Sequence, residues 1–222
     1  MNDSTKGTID AAKVRGADLV GRALADQGVT DLFFMMGMGG PHSPPVRSCA
    51  EAGITTYYVR HEEGATMAAH AYSRLAKRPG VCCTPLGPGT TNALTGMINA
   101  QLDAAPVLLI GGGPNRSDWG LESYQEQDQL SMFRPACKNV YRVELARRIP
   151  EVLAIALHEA NSGRKGPVYV EIAGAVSAGA PGGTPGCCGR SARHRRRAAE
   201  SPAASRARRR ASRRRSARGR AP

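Results

Sequence analysis

Val59-Arg60-His61-Glu62-Glu63-Gly64-Ala65 is the stretch from which the fold of this chain can be inferred. Residues 54–59, which lead into it, are β-branched or aromatic and predict a strand, whereas residues 62–77 carry apolar side chains at helical spacing. A carboxylate at a strand-to-helix junction lies at the rim of an open α/β sheet, where such proteins bind ligands. Glu62 is therefore the first candidate for a functional residue.

Strand and helix patterns alternate on both sides of this stretch. Further helices are predicted at residues 11–27, 43–52, 93–102 and 149–160, and further strands at 31–36, 81–84, 106–110, 139–143 and 167–172. Residues 86–92 are predicted as a Gly/Pro loop, residues 111–113 as a glycine run that terminates the strand at 106–110, and residues 115–133 as irregular with a short helix near 125–132. This alternation indicates an α/β fold with a doubly wound, mostly parallel sheet and helices on both faces.

The distribution of charge divides the chain into two parts. Residues 181–222 contain 14 Arg and one Glu and carry the whole net charge of +13, so residues 1–180 are balanced. No Val, Ile, Leu, Met, Phe, Tyr or Trp follows Val176, and such a segment cannot bury enough apolar area to fold. We expect a loose N-terminus at residues 1–10, one globular domain at 11–172 and a disordered Arg/Ala-rich tail at 173–222.

The cysteines do not form a recognisable metal or redox motif. The six of them lie at positions 49, 82, 83, 137, 187 and 188, with no CxxC and no His at a ligand spacing. We expect structural or incidental thiols and no metal ligand in this chain. Neither a signal peptide nor an apolar run of about 18 residues is visible, so the chain is expected to be cytoplasmic and to lack a membrane span.

A second motif, Gly87-Pro88-Gly89-Thr90-Thr91-Asn92, follows the predicted strand at 81–84 and opens a helix. In this position backbone N–H groups can face a ligand. By itself Gly-Pro-Gly predicts no more than a turn, and its spacing differs from the dinucleotide-binding GxGxxG. Glu62 alone is likewise typical of a solvated acid at a helix N-terminus.

Taken together, the motifs resemble the pyrimidine-binding domain of thiamine-diphosphate enzymes, and most closely the acetolactate synthase-like group. The resemblance covers about residues 11–172. It is carried, in order, by Arg60-His61-Glu62, by Ala71-Tyr72-Ser73-Arg74, by Gly87-Pro88-Gly89, by Tyr124-Gln125-Glu126 and by the strand at 167–172. It departs at Leu86, where a hydroxyl residue is usual, and after Ile172, where the usual Pro-x-Asp is absent.

The resemblance implies a role for each candidate residue. Glu62 is expected to bind N1′ of the aminopyrimidine ring of thiamine diphosphate and to assist removal of the proton from the thiazolium carbon C2. The expected cofactor-binding residues are Glu62, Gly37, Gly39, Gly87, Pro88, Gly89 and Asn92, with Gln125 on the substrate side. Glu63 points about 100° away from Glu62 on a helix, so we expect it to be a surface charge.

The resemblance implies that this sequence holds only half of the cofactor site. In the family a further domain carries Gly-Asp-Gly and Asn-Asn, which hold Mg²⁺ and the diphosphate, and Gly-Asp-Gly does not occur here. We therefore expect this chain to bind only the pyrimidine half of thiamine diphosphate, with Mg²⁺ in a missing or partner domain. It should be inactive alone, and the parent enzyme should be a homo-oligomer such as a dimer.

Three functions stay open at this point. The first is the pyrimidine-binding domain of a carboligase or decarboxylase acting on 2-oxo acids or related acyl substrates, truncated or frameshifted after Ile172. The second is one subunit of a split thiamine-diphosphate decarboxylase, with its diphosphate-binding domain on another chain. The third is a nucleic-acid-binding protein whose Arg-rich tail contacts phosphates without base specificity.

Overall fold

The computed structural model describes residues 15–35, 43–115 and 117–174. The predicted loose N-terminus at 1–10 lies outside these residues, as does the Arg-rich sequence from 175 to 222. Gly37 and Gly39 also lie outside the described residues. The predictions for these parts of the chain, including the nucleic-acid-binding tail, therefore stay predictions.

Six strands form one sheet in the described part of the chain. They are β1 (Asp31–Phe34), β2 (Thr55–Tyr58), β3 (Gly80–Thr84), β4 (Val107–Gly113), β5 (Asn139–Val143) and β6 (Val168–Ala173). The order across the sheet is β2-β1-β3-β4-β6-β5, and every neighbouring pair is parallel. The predicted doubly wound, parallel α/β fold is confirmed.

Helices connect these strands. They are α1 (Gly16–Asp26), α2 (Pro44–Glu51), α3 (Glu62–Ala76), α4 (Pro88–Asn92), α5 (Leu94–Leu102), α6 (Gln129–Phe133) and α7 (Ile149–Asn161). The prediction of a loop over residues 86–92 was wrong in its second part, because α4 occupies it. Pro88 begins this helix, where the missing N–H costs no hydrogen bond and the ring sets a helical φ.

Strand β4 also differs from its prediction, because it runs through Gly111–Gly113 instead of ending before them. The three glycines pair with β6 up to Ala173, one residue beyond the predicted domain end at 172. A Cβ atom at Gly111 would lie 2.8 Å from the hydroxyl oxygen of Tyr169. Because the glycines carry no side chains, they leave room for the large side chains of β6. Strand β4 can therefore continue beside β6 through these three residues.

Side chains of the sheet alternate between two apolar clusters, one on each face. Val81 and Cys83 pack into the first cluster, whereas Cys82 between them packs into the second. Helices α1, α2 and α7 cover the first face, and α3 and α5 cover the second. Since each buried aliphatic side chain contributes roughly 1.5–3 kcal/mol, burial on two faces holds the helices at fixed positions around the strands.

The strand order reverses between β1 and β3, near the centre of the sheet, and a crevice is expected at this point. The chain passes from β1 outward to β2 and then returns to β3 on the other side of β1. In open α/β sheets, ligands bind outside the carboxyl ends of the strands at such a reversal. The carboxyl end of β2 leads to Glu62 and that of β3 leads to Gly87, so both candidate motifs lie at the same edge.

The described cysteines are buried thiols. Burial raises the pKa of Cys49, Cys83 and Cys137 to about 12 and raises that of Cys82 well above its ordinary range.

Among the residues of 15–174 that the structure describes, none of the helices has the length and apolar character needed to cross a membrane.

Candidate functional site

Glu62 is the first residue of α3, and its side chain is buried, with 5% of its surface exposed. The preceding His61 caps the helix, since its Nδ1 accepts a hydrogen bond from the Glu63 N–H at 3.2 Å. The Glu62 carboxylate accepts a hydrogen bond through Oε2 from Nδ2 of Asn92 at 3.1 Å. A carboxylate is rarely buried without a partner, and here an amide from another helix supplies one.

The packing of α3 against α5 brings Glu62 and Asn92 together. The Thr66 hydroxyl lies 3.3 Å from the carbonyl oxygen of Ala93, the residue between α4 and α5. Gly96 contacts Thr66 so closely that a Cβ atom there would overlap the Thr66 side chain. Because the N-terminal parts of α3 and α5 meet in this way, Asn92 is held beside the beginning of α3.

Gly87 forms the turn between β3 and α4 in a backbone conformation that other residues avoid. Its φ is 64° and its ψ is −126°. A Cβ atom at Gly87 would overlap the carbonyl oxygen of Gln125 and lie 2.7 Å from the Gln125 Cβ. A residue with a side chain would be strained in this backbone conformation and would clash with Gln125. Position 87 therefore requires glycine.

Gly89 brings the chain close to the Glu62 carboxylate. A Cβ atom at Gly89 would lie 3.0 Å from Oε1 of Glu62 and would overlap the ring of Pro85. Gly89 is buried, whereas Pro88 beside it is exposed. The structure thus brings Glu62, Gly89 and Asn92 into direct proximity and places Pro88 on the outer side of the same turn.

Gln125 approaches the site with its backbone. It is half-buried, has a left-handed φ of 57° and contacts the Gly87 turn through its carbonyl oxygen. Its loop lines an open pocket of about 620 Å³, together with Trp119, Gly120, Glu122, Ser123, Glu126, Gln127 and Asp128. Gln125 thus contacts the Gly87 turn and also lines this pocket.

Sequence reasoning missed a buried polar cluster on the inner side of the Gly87 turn, made of Gln129, Arg142, Tyr169 and Glu171. Gln129 and Glu171 are fully buried, and Gln129 accepts a hydrogen bond from the Gly87 N–H at 2.5 Å. Burial raises the pKa of Glu171, although Gln129 and Arg142 act to lower it. One signal was available, since a Glu within the apolar strand Val168–Ala173 is an unusual buried charge.

No group of three or more His, Cys, Asp and Glu side chains within residues 15–35, 43–115 and 117–174 is arranged to hold a metal ion. The prediction that a missing or partner domain holds Mg²⁺ does not depend on these residues. It stays a prediction.

Comparison with known proteins identifies the family. Residues 14–132 of this 222-residue chain match the sequence profile of the thiamine pyrophosphate enzyme N-terminal TPP binding domain. The chain belongs to this family. The match includes strands β1 to β4, Glu62 and the Gly87 turn, and it confirms the resemblance inferred from the motifs.

Curated relatives of this TPP binding domain include two kinds of enzyme. Human 2-hydroxyacyl-CoA lyase 2 is 39% identical over 165 residues, which cover 74% of this chain and 26% of the relative. The acetolactate synthase isozyme 2 large subunit of Escherichia coli is 37% identical over 159 residues, covering 72% of this chain and 29% of the relative. The chain thus matches between a quarter and a third of the length of these relatives.

Proposed function

We propose that this domain binds the aminopyrimidine half of thiamine diphosphate and that Glu62 exchanges a proton with ring nitrogen N1′. The observation that carries the proposal is the buried Glu62 carboxylate, held by Asn92 at 3.1 Å and approached by Gly89. Membership of the TPP binding family supports the choice of ligand.

The residues fit an aminopyrimidine ring. A buried carboxylate can accept a proton from a ring nitrogen or share it in a strong, charge-assisted hydrogen bond. Gly89 leaves space beside Oε1 that a side chain would fill, so a flat ring can approach the carboxylate edge-on. When bound, thiamine diphosphate supplies a carbon nucleophile, and the protein contributes one positioned acid–base group.

The remaining candidates take supporting roles in this proposal. Asn92 orients the Glu62 carboxylate, and the turn at Gly87, Pro88 and Gly89 shapes the wall of the pyrimidine pocket. Gln125 lies towards the substrate side, next to the open pocket of about 620 Å³.

For the complete protein we propose an enzyme that makes or breaks a carbon–carbon bond beside a carbonyl group. The proposal follows the names of the relatives, acetolactate synthase and 2-hydroxyacyl-CoA lyase 2. A diphosphate-binding domain, on another chain or elsewhere in the parent protein, would hold Mg²⁺ and the diphosphate. Assembly as a dimer and a cytoplasmic location are further parts of the proposal.

Ligand titration tests the role of Glu62. The chain is titrated with thiamine and with thiamine diphosphate by calorimetry or by nuclear magnetic resonance. Glu62→Gln should weaken both interactions about tenfold or more, because a hydrogen bond to a charged group contributes roughly 1.5–3 kcal/mol. Glu63→Gln is the matched control, since it removes the neighbouring carboxylate and should leave both affinities unchanged. Equal affinities of the two variants would refute the proposal.

Proton exchange tests the chemistry separately. The chain is combined with a diphosphate-binding domain taken from a relative, and exchange of the C2 proton of thiamine diphosphate is followed in deuterated water. Glu62→Gln should lose most of the exchange that the unmodified chain supports. An unchanged exchange rate would show that another group performs the proton transfer.

A further inference from the structure

Gln129 connects the Gly87 turn to the interior of the domain through both ends of its side-chain amide. Its Oε1 accepts the Gly87 N–H at 2.5 Å. Its Nε2 lies within hydrogen-bonding distance of Glu171 Oε2 at 2.5 Å, of the Gly112 carbonyl oxygen at 2.9 Å and of the Tyr169 hydroxyl at 3.1 Å. Since Gln129 is fully buried, these contacts leave the amide only one orientation in which donors and acceptors match.

Glu171 anchors Gln129 from β6. It is fully buried and forms an ion pair with Arg142 of β5, whose own side chain is largely buried. Nη2 of Arg142 also donates a hydrogen bond to the Pro114 carbonyl oxygen at 3.1 Å. The guanidinium carbon of Arg142 lies 4.7 Å from the centre of the Trp119 ring. A buried ion pair costs several kcal/mol of desolvation per ion, so stability alone is a weak reason for its presence.

The glycine-rich end of β4 makes room for this cluster. A Cβ atom at Gly113 would lie 2.5 Å from Cγ of Glu171, and one at Gly112 would lie 3.0 Å from the backbone nitrogen of Leu86. Three consecutive glycines weaken a strand, and here they let the Glu171 side chain and the loop before Gly87 lie directly on it. The local sequence is thus adapted to the cluster and to the turn together.

From these contacts we propose that Gln129, held by Glu171 and Arg142, is a positioning residue for the pyrimidine site. The inference rests on the proposed function of Glu62. Gln129 fixes the Gly87 N–H, Gly87 leads into the five residues of α4, and α4 ends at Asn92, which contacts Glu62. Without the acceptor at Gln129 a buried N–H would be unpaired, and the turn would relax towards a conformation in which Asn92 and Gly89 leave Glu62.

The test uses the full 222-residue chain, with thiamine as the probe. Gln129→Leu keeps a side chain of similar volume and removes the acceptor for Gly87. It should weaken thiamine binding about tenfold, and it should increase hydrogen exchange of the Gly87 amide by at least the same factor. Glu171→Gln keeps the shape and one acceptor oxygen, which can serve Gln129, but it removes the charge and the oxygen facing Arg142. A smaller loss of about threefold is expected.

Ser48→Ala is the matched control. Ser48 Oγ accepts the N–H of Gly21 at 2.9 Å, which is also a buried bond from a glycine amide to a side-chain oxygen, between α1 and α2. This variant should lose stability without any change in thiamine affinity. If Gln129→Leu is folded and binds thiamine as the unmodified chain does, the inference is wrong. If Gln129→Leu does not fold, Glu171→Gln decides, and unchanged thiamine affinity in that variant overturns the inference.

Glu62→Gln, measured in parallel, separates the two proposals. Weaker binding by Glu62→Gln together with normal binding by Gln129→Leu overturns only the positioning role. Absence of thiamine binding by the unmodified chain, or normal binding by Glu62→Gln, overturns the proposed function and the positioning role with it.

Discussion

The carboxylate of Glu62 accepts a hydrogen bond from the side-chain amide of Asn92 at 3.1 Å, although 30 residues separate them in sequence. Glu62 begins α3 after β2, and Asn92 ends α4 after β3, with β1 between these two strands in the sheet. Asn92 is exposed and reaches inward to a buried acid. The pair therefore joins two crossover connections at the carboxyl edge of the sheet.

Asn92→Ala should weaken thiamine binding while the chain stays folded. The variant removes the described amide donor to Glu62, and a hydrogen bond to a charged group contributes about 1.5–3 kcal/mol. Calorimetric titration measures the affinity and thermal unfolding measures the stability. Asn99→Ala on α5 is the control, since the side-chain amide of Asn99 contacts the Met67 sulfur at 3.6 Å instead of a carboxylate. A similar loss of affinity in both variants would contradict the role of Asn92.

Gly89→Ala should abolish thiamine binding and destabilise the domain by about 1–3 kcal/mol, because the added methyl group overlaps Pro85 and crowds Glu62. Chemical denaturation and ligand titration report the two effects. Gly64→Ala in α3 is the opposite case, since the nearest atom to its Cβ would be Val59 Cβ at 4.0 Å. That variant should be more stable by about 0.5–1 kcal/mol, owing to the helix propensity of Ala. Normal thiamine binding by Gly89→Ala would mean that the ligand lies elsewhere.

Asp31, at the opposite edge of the sheet, should make stability depend on pH in the acid range. The hydroxyls of Thr30, Tyr72 and Tyr57 donate to its carboxylate, and these bonds lower the pKa of Asp31 below its ordinary value of 3.8. The ionised form is therefore favoured in the folded state. Its stabilising effect is complete above the unfolded pKa and disappears as the pH falls through the folded pKa.

Asp31→Asn should accordingly reduce the loss of unfolding free energy on acidification from neutral pH to below 3.8. The difference should be about 1 kcal/mol or less, because the carboxylate is partly exposed to water. Denaturation curves at several pH values measure it. Tyr72→Phe removes one of the donors and should give a smaller change of the same sign. A steeper acid dependence in Asp31→Asn would contradict the assignment.

The described cysteines should resist alkylation in the folded chain. Burial raises the pKa of Cys49, Cys83 and Cys137 to about 12, and only the thiolate reacts readily. Iodoacetamide treatment at mildly alkaline pH, followed by peptide mass spectrometry, should leave these three and the equally buried Cys82 unmodified. The same treatment after denaturation is the control and should modify them. Rapid labelling of Cys137 in the native chain would show that its surroundings open.

Much of the fold could be predicted because its determinants are local. The alternation of helical and strand periodicity, with glycine and proline between the segments, led to the parallel doubly wound sheet and to most element positions. The position of Glu62 at the start of α3 was predicted on the same basis. The strand pattern ends just before Glu62 and the helical pattern begins there. The helix at Pro88–Asn92 was missed because five residues are too few for a periodic signal.

The amino-acid sequence by itself determined the alternation of strands and helices, the family and the position of Glu62 at a strand-to-helix junction. Tertiary structure alone decided that Asn92 and Gly89 lie against that carboxylate and that Gln129, Glu171 and Arg142 meet on the inner side of the Gly87 turn. The physical reason is that periodicity and turn chemistry act over a few neighbouring residues. A buried hydrogen bond instead requires a donor and an acceptor from distant segments, and these meet only when the sheet order and the helix packing are set.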